Sequence, residues 1–245
     1  MPRFLRFRHS SLDHLSRTVD RCAASLPRGA RILDAGAGHC PYKSRFEHAV
    51  YESADFCQVD RRYGAIDHVC DLRRIPVDGG RFDAVLCTQV MEHVPDPQAV
   101  IHEFARVLRP GGALWLSAPL YYEEHERPFD FFRYTQYGLR QLLQTAGFEV
   151  ESLEWLEGYG AALGHQLRKA SRQLSVRPSD YGGGPLGWLG AAVSLVARPA
   201  FGLLGRWYNL LDRRHRYVDG GHCINYFVTA RKLAPAVRAD RPNAA

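Results

Sequence analysis

The stretch "RILDAGAGHC", residues 31–40, reads as a short buried strand running into a glycine turn. Ile32 and Leu33 lead to Asp34, and Gly36 and Gly38 let the backbone of the turn come close to whatever lies beside it. A dinucleotide-binding turn would read G-x-G-x-x-G, but Pro41 holds the last of those positions. The stretch thus announces a strand of an open parallel sheet and leaves its ligand to the rest of the chain.

On the N-terminal side, "SSLDHLSRTVDRCAASL" (10–26) sets Leu12, Leu15, Val19, Cys22 and Leu26 at helical spacing, with Ser10 or Ser11 as the cap. On the C-terminal side, "ADFCQVD" predicts a second strand ending at Asp60, and "IDHVCDL" a third ending near Asp71. "FDAVLCTQVMEHV" (82–94) begins as a fourth strand. "DPQAVIHEFARVL" (96–108) is a helix with Asp96 as cap, Pro97 in first place and a stripe of Val100, Ile101, Phe104, Val107 and Leu108. "RPGG" stops it and "ALWLSAPL" is the fifth strand. A helix over 136–147, capped by Thr135 and closed by Gly147, precedes the strand "FEVESLEWL", and "HCINYFVTARK" (222–232) is the last. Strands alternating with helices in this way predict a doubly wound α/β sheet.

The bulk numbers agree with one globular domain: 245 residues, 46% hydrophobic and 24% charged. Residues 158–217 then form a helical insertion or lid before the final strand. The six cysteines contain no C-x-x-C pair, so neither a zinc cage nor a disulfide framework is expected, no metal is called for, and a reducing cytoplasm is the simplest setting. "MPRFLRFRHS" is basic but no apolar run follows it, so a secretory signal is not expected. Most of the formal charge of +6 sits late, where Arg198, Arg206, Arg213, Arg214 and Arg216 face Asp212 alone. No recognition helix or stacking module accompanies these arginines, so nucleic acid is not an expected partner.

Ligands of open parallel sheets sit beyond the carboxyl ends of the strands. That brings Gly36, Asp60, Asp71 and the segment from Thr88 to His93 around one cleft. Asp34 is badly placed for a pyrophosphate and well placed for a cation. S-adenosylmethionine carries a sulfonium and an amino group, and no phosphate.

Residues 31 to about 155, with "LDAGAG", "FDAVLCTQVMEHV" and "RVLRPGG" in order, resemble the class I S-adenosylmethionine-dependent methyltransferases. The resemblance implies a Rossmann-like seven-stranded sheet whose last two strands form an antiparallel pair, and S-adenosylmethionine as cofactor. It places Asp34, Gly36, Ala37 and Gly38 at the methionine part. Asp60, with Arg61 beside it, falls at the ribose, Asp71 and Leu72 at the adenine, and Thr88 with Gln89 near the methyl group. "GHCPY" also resembles members of glycan and cell-envelope biosynthesis.

The loop after the fifth strand, "EEHERPFDFFRY", is expected to arch over the methyl group. There His125 is the candidate base, with Tyr122, Asp130, Arg133 and Tyr134 as substrate contacts. The competing reading pairs Asp130 with Arg133 and uses Phe129, Phe131 and Phe132 to pin the loop. Glu92 and His93 are read as structural, with His93 as a base the alternative, and Asp83 at the far end of its strand is read as structural too.

The uncharged run from Gly182 to Ala197 is 16 residues, short of the roughly 20 needed to span a bilayer. A transmembrane helix is therefore not expected. Residues 185–216 are either a lid or oligomer surface, or a peripheral contact with the inner membrane surface. Together these residues predict transfer of a methyl group to a small-molecule or glycan/lipid-linked acceptor, most naturally at oxygen. The alternatives are a non-catalytic scaffold or partner subunit of the same fold and, more remotely, a nicotinamide oxidoreductase.

Overall fold

The computed structural model describes residues 10–59 and 62–234. Helix α1 (Ser10–Ser25) leads to β1 (Arg31–Ala35), β2 (Val50–Asp55), β3 (His68–Val69) and β4 (Phe82–Thr88). Then come α2 (Pro97–Val107), β5 (Leu108–Pro119), α3 (Gln136–Thr145) and β6 (Phe148–Trp155). Two long helices, α4 (Tyr159–Gln173) and α5 (Gly184–Arg214), precede β7 (Asn225–Lys232).

The seven strands lie in the order β3-β2-β1-β4-β5-β7-β6. The first five run parallel. The final pair is antiparallel: Leu156 N–H, just past β6, donates to the carbonyl of Asn225 at the start of β7, and Leu233 N–H donates to Gly147 at the other end. β7 also opposes β5, since Leu120 N–H meets the Ile224 carbonyl while Lys232 Nζ reaches the Leu108 carbonyl. The expected Rossmann-like sheet, its antiparallel end and the helical segment before the last strand are all present.

Contacts divide the described chain into two compact units, one of residues 20–119, 123–154 and 227–234, the other of 10–19, 120–122 and 155–226. The first has an aliphatic core. Ile32, Leu33, Val85, Leu86, Leu114 and Leu116 are fully enclosed, as expected for parallel strands covered on both faces. α2 begins as the sequence predicts, with the Asp96 carboxylate accepting from Ala99 N–H at 3.0 Å, and sends Val100, Ile101, Phe104 and Val107 inward. Thr135 Oγ1 likewise accepts from Gly138 N–H at the start of α3.

In the second unit, α4 and α5 pack through glycine. A Cβ on Gly164 would stand 2.9 Å from the Gly205 carbonyl, and one on Gly205 would stand 2.6 Å from Arg168 Cγ. Polar side chains of α5 do the remaining tying. Asn209 accepts from Ser10 N–H, and Asp212 accepts from Gly158 N–H and pairs with His14. Asp13 and Arg213 form a further ion pair. Glu157, fully enclosed, accepts from the N–H groups of Ile224 and Asn225.

α5 departs from expectation. It is one continuous helix of 31 residues, running through Arg198 and Pro199, and by length and composition alone it is long and apolar enough to cross a membrane. Counting only the uncharged run underrated it, because a single arginine and an exposed proline did not end the helix.

Candidate functional site

The strand order reverses direction between β1 and β4, and there the carboxyl ends of four strands converge. A cavity of about 380 Å³ opens at this point. Its wall includes Gly36 after β1, Asp55 at the end of β2, Asp71 and Leu72 after β3, and Gln89 and Val90 after β4; it ends at His93, Glu126 and Phe129. The volume lies in the range of small-molecule sites.

The glycine turn is shaped by its neighbours. Gly36 and Gly38 both have positive φ, 75° and 55°. A Cβ on Gly36 would stand 2.2 Å from Val90 Cγ2, so no other residue fits there. Gly36 and Ala37 donate their N–H groups to the carbonyl of Ala54, and Gly38 donates to Asp55 Oδ2 at 2.9 Å. These three donors are therefore spent on β2 and are not aimed at a ligand. A pyrophosphate binds through such donors, and these three are already engaged.

β2 ends at Asp55, five residues before the end read from the sequence. Asp55 is 1% exposed, accepts from Gly38 and Cys57 N–H, and lines the cavity. It is the strand-end carboxylate that sequence reading missed, because the apolar tail "FCQV" extended the apparent strand to Asp60. Asp60 and Arg61 lie outside the described residues.

Asp34 is 2% exposed in the centre of the sheet, in register with Ser53 and Leu86, and accepts from the Tyr51 hydroxyl at 2.5 Å. Burial pushes its carboxyl up to about 6. A cation beside it would restore the charge. Neither Asp34 nor Ala37 nor Gly38 is on the cavity wall, whereas Gly36, Asp71, Leu72 and Gln89 are. Arg73 grips Asp71 through both carboxylate oxygens and holds it below the usual carboxylate range. Thr88 faces the Tyr42 hydroxyl, and Gln89, at φ 56°, hydrogen-bonds Ser117.

The loop after β5 is clasped onto the turn after β4. Phe131 N–H donates to the Glu92 carbonyl, Tyr134 OH to the Met91 carbonyl, and His93 Nδ1 to the Phe129 carbonyl at 2.6 Å. Asp130 and Arg133 form a two-pronged pair, and Asp130 Oδ2 also accepts from His125 N–H. Arg133 holds the Asp130 carboxyl far below its ordinary value. Asp130 and Arg133 thus pair within the loop, Tyr134 is buried against the turn after β4, and none of the three is on the cavity wall. Tyr122 belongs to the other unit, its ring 5.4 Å from that of His165.

His125 stands edge-on to His93, ring centroids 4.7 Å apart, and its Nδ1 faces the Glu123 carbonyl. His93, read from the sequence as structural, reaches the cavity itself, and burial holds its imidazole below the ordinary value. Glu126, in the same loop, lies beside it, Oε2 3.9 Å from His93 Nε2.

These residues fit S-adenosylmethionine. Carboxylates and an apolar wall occupy one end of the cavity, and the three turn donors at its side that a phosphate would use are already engaged.

Residues 4–153 match a protein family described as a methyltransferase domain. A ubiquinone biosynthesis O-methyltransferase of Xanthomonas oryzae pv. oryzae is 35% identical over 119 residues, 43% of this chain and 47% of the relative. The chain thus spans about half the length of that relative. A Mycolicibacterium smegmatis protein named "probable S-adenosylmethionine-dependent methyltransferase" is 32% identical over 161 residues, 60% of this chain and 61% of the relative. Among solved structures, phosphoethanolamine N-methyltransferase 2 of Haemonchus contortus superposes with a TM-score of 0.51 at 15% identity, covering 91% of this chain and 52% of that one. The [4+2]-cyclase SpnF does so with 0.53 at 19%, covering 89% and 83%. Both share the fold.

Proposed function

This chain belongs to the methyltransferase domain family, whose cofactor is S-adenosylmethionine, and we propose that it transfers a methyl group to an oxygen of a small or lipid-linked acceptor. One observation carries the reading: a single cavity joins the strand-end carboxylates Asp55 and Asp71 to the imidazole and carboxylate of His93 and Glu126. The names of the Xanthomonas relatives support oxygen as the methylated atom.

When bound, the cofactor supplies an electrophilic methyl carbon on a sulfonium. Asp55 and Asp71 accept from its hydroxyl and amino groups, and Leu72 with Val69 packs the adenine. Asp34 compensates positive charge at the methionine end. Asp60 and Arg61 are the further candidates for the ribose edge, and Thr88 supports the floor through Tyr42. At the opposite end, His93 and His125 receive the acceptor hydroxyl and take its proton. Burial of His93 keeps it neutral and so able to accept.

α5 supports a peripheral membrane contact through residues 185–216. Its exposed side carries Leu186, Trp188, Leu189, Val193, Leu203 and Trp207, and the exposed Arg206 and Arg214 suit anionic headgroups. An acceptor carried on a lipid is consistent with such a surface.

Calorimetric titration with S-adenosylhomocysteine, beside NAD, tests the cofactor site. Binding of the former alone, weakened roughly tenfold in Asp71→Ala, is expected. Transfer of labelled methyl from S-adenosylmethionine into lipid extract, and not into the aqueous fraction, identifies the acceptor class. NAD binding overturns the reading.

A further inference from the structure

Glu92 sits on the short helical turn Met91–His93, and it is fully enclosed. Neither of its side-chain oxygens has a hydrogen-bond partner. Buried carboxylates are normally paired or hydrogen-bonded, since an unpaired charge in an apolar setting costs several kcal/mol. The groups beside it are donors of another kind. One ligand atom each from Glu92, His93 and His125 lies within 4.8 Å of the others. His93 Nε2 is 3.8 Å from Glu92 Oε1, and its orientation is fixed by the Nδ1–H that donates to the Phe129 carbonyl. Metal-binding histidines are commonly held this way, with one nitrogen donating to a carbonyl so that the other presents its lone pair.

We propose that Glu92, His93 and His125 bind a divalent transition-metal ion of the zinc type, with an open position toward the cofactor cavity. Two imidazoles and one carboxylate are a known donor set for such ions when a fourth position is left for water or substrate. On a tetrahedral ion with bonds of about 2.1 Å, ligand atoms stand about 3.4 Å apart, so the three groups need to draw in by roughly an ångström. A carboxylate gives up its proton and an imidazole is neutral when each ligates such an ion.

The role of this ion rests on the methyl-transfer reading, but its existence does not. His93 lines the cavity, so the open position faces the acceptor end. An acceptor hydroxyl bound there becomes more acidic and gives its proton to Glu126, 3.9 Å from His93 Nε2. The resulting oxygen forms its bond to the methyl carbon as the carbon–sulfur bond breaks, and that electron pair stays on sulfur. His93 and His125 then hold the ion, and Glu126 takes the proton in their place.

Metal-stripped full-length protein is titrated with Co²⁺, whose visible absorption reports four- or five-coordinate nitrogen and oxygen ligation, and Zn²⁺ is used to displace it. The proposal expects saturation at one equivalent. Glu92→Gln and His125→Ala should each weaken binding by at least tenfold. Both variants should keep their affinity for S-adenosylhomocysteine, which shows that they are folded. Failure of the folded wild type to saturate at one equivalent, or unchanged saturation in both variants, overturns the proposal. Cobalt binding lost in the variants of a protein that nowhere binds S-adenosylhomocysteine supports the site and defeats the methyl-transfer reading instead, with melting temperature then reporting the fold.

Discussion

α2 and α5 follow opposite rules. α2 hides Val100, Ile101, Phe104 and Val107 and turns His102 and Arg106 outward. α5 hides Gly187, Ala191, Ser194, Gly205, Asn209 and Asp212, and its exposed side bears leucines, valines and tryptophans such as Trp188, 70% exposed, and Leu186, 77% exposed. Apolar burial drives the first helix into place. The second is held by close backbone approach at glycine and by side-chain hydrogen bonds, so its apolar side remains available. Amphipathicity in a sequence therefore tells that two faces differ, and packing decides which one is inside.

The largest expected effect is on the ordinary helix. Phe104→Ala should cost about 3–5 kcal/mol, measured by urea unfolding, because it empties a fully enclosed site. An equally large truncation on the other helix, Trp207→Ala, should cost far less; a comparable loss would show that the exposed face of α5 is covered in solution.

A buried carboxylate from each unit sharpens the contrast. Asp212 answers the Gly158 N–H and His14, so Asp212→Ala should cost about 2–3 kcal/mol and be seen in the same unfolding series. Asp34 has the Tyr51 hydroxyl as a donor, which offsets its burial only in part. Its folded value lies above the unfolded one, so the folded state holds the extra proton between about 4 and 6, and stability falls as pH rises through that window. Above it, Asp34→Asn should be more stable than wild type by about 2–3 kcal/mol. The same variant should bind S-adenosylhomocysteine more weakly, and a variant that gained stability with no loss of binding would remove Asp34 from the methionine end.

The smallest effect on stability is expected from Leu203→Ser with Leu204→Ser and Trp207→Ser, each site exposed, together within about 0.5 kcal/mol per position. Their effect should show in sedimentation with anionic liposomes, where the wild type pellets and the triple variant stays in solution. Equal pelleting would break the assignment of this face to a lipid surface.

Much of the sheet was legible because parallel strands buried on both faces leave unbroken aliphatic runs, as in "ARIL" and "FDAVLC". The caps at Asp96 and Thr135 were legible for a local reason, since a side chain accepting from a helix's free N–H needs only its neighbours. Less was legible where two distant segments meet. Asp55 was hidden by the apolar residues after it, and Glu126 had its place in the loop but no role until that loop folded back beside His93. His93 itself was read as structural, and its contact with Phe129 is structural, but the other nitrogen stands at the cavity.

The sequence by itself determined the order and type of the elements, the family and the cofactor class, because these depend on periodicity and on short motifs whose residues are neighbours. Tertiary structure alone decided which way α5 faces, that the glycine turn keeps its donors for β2, and that Glu92 is enclosed beside two imidazoles. Those outcomes depend on which surfaces exclude water from one another, and that is a property of segments far apart in the chain.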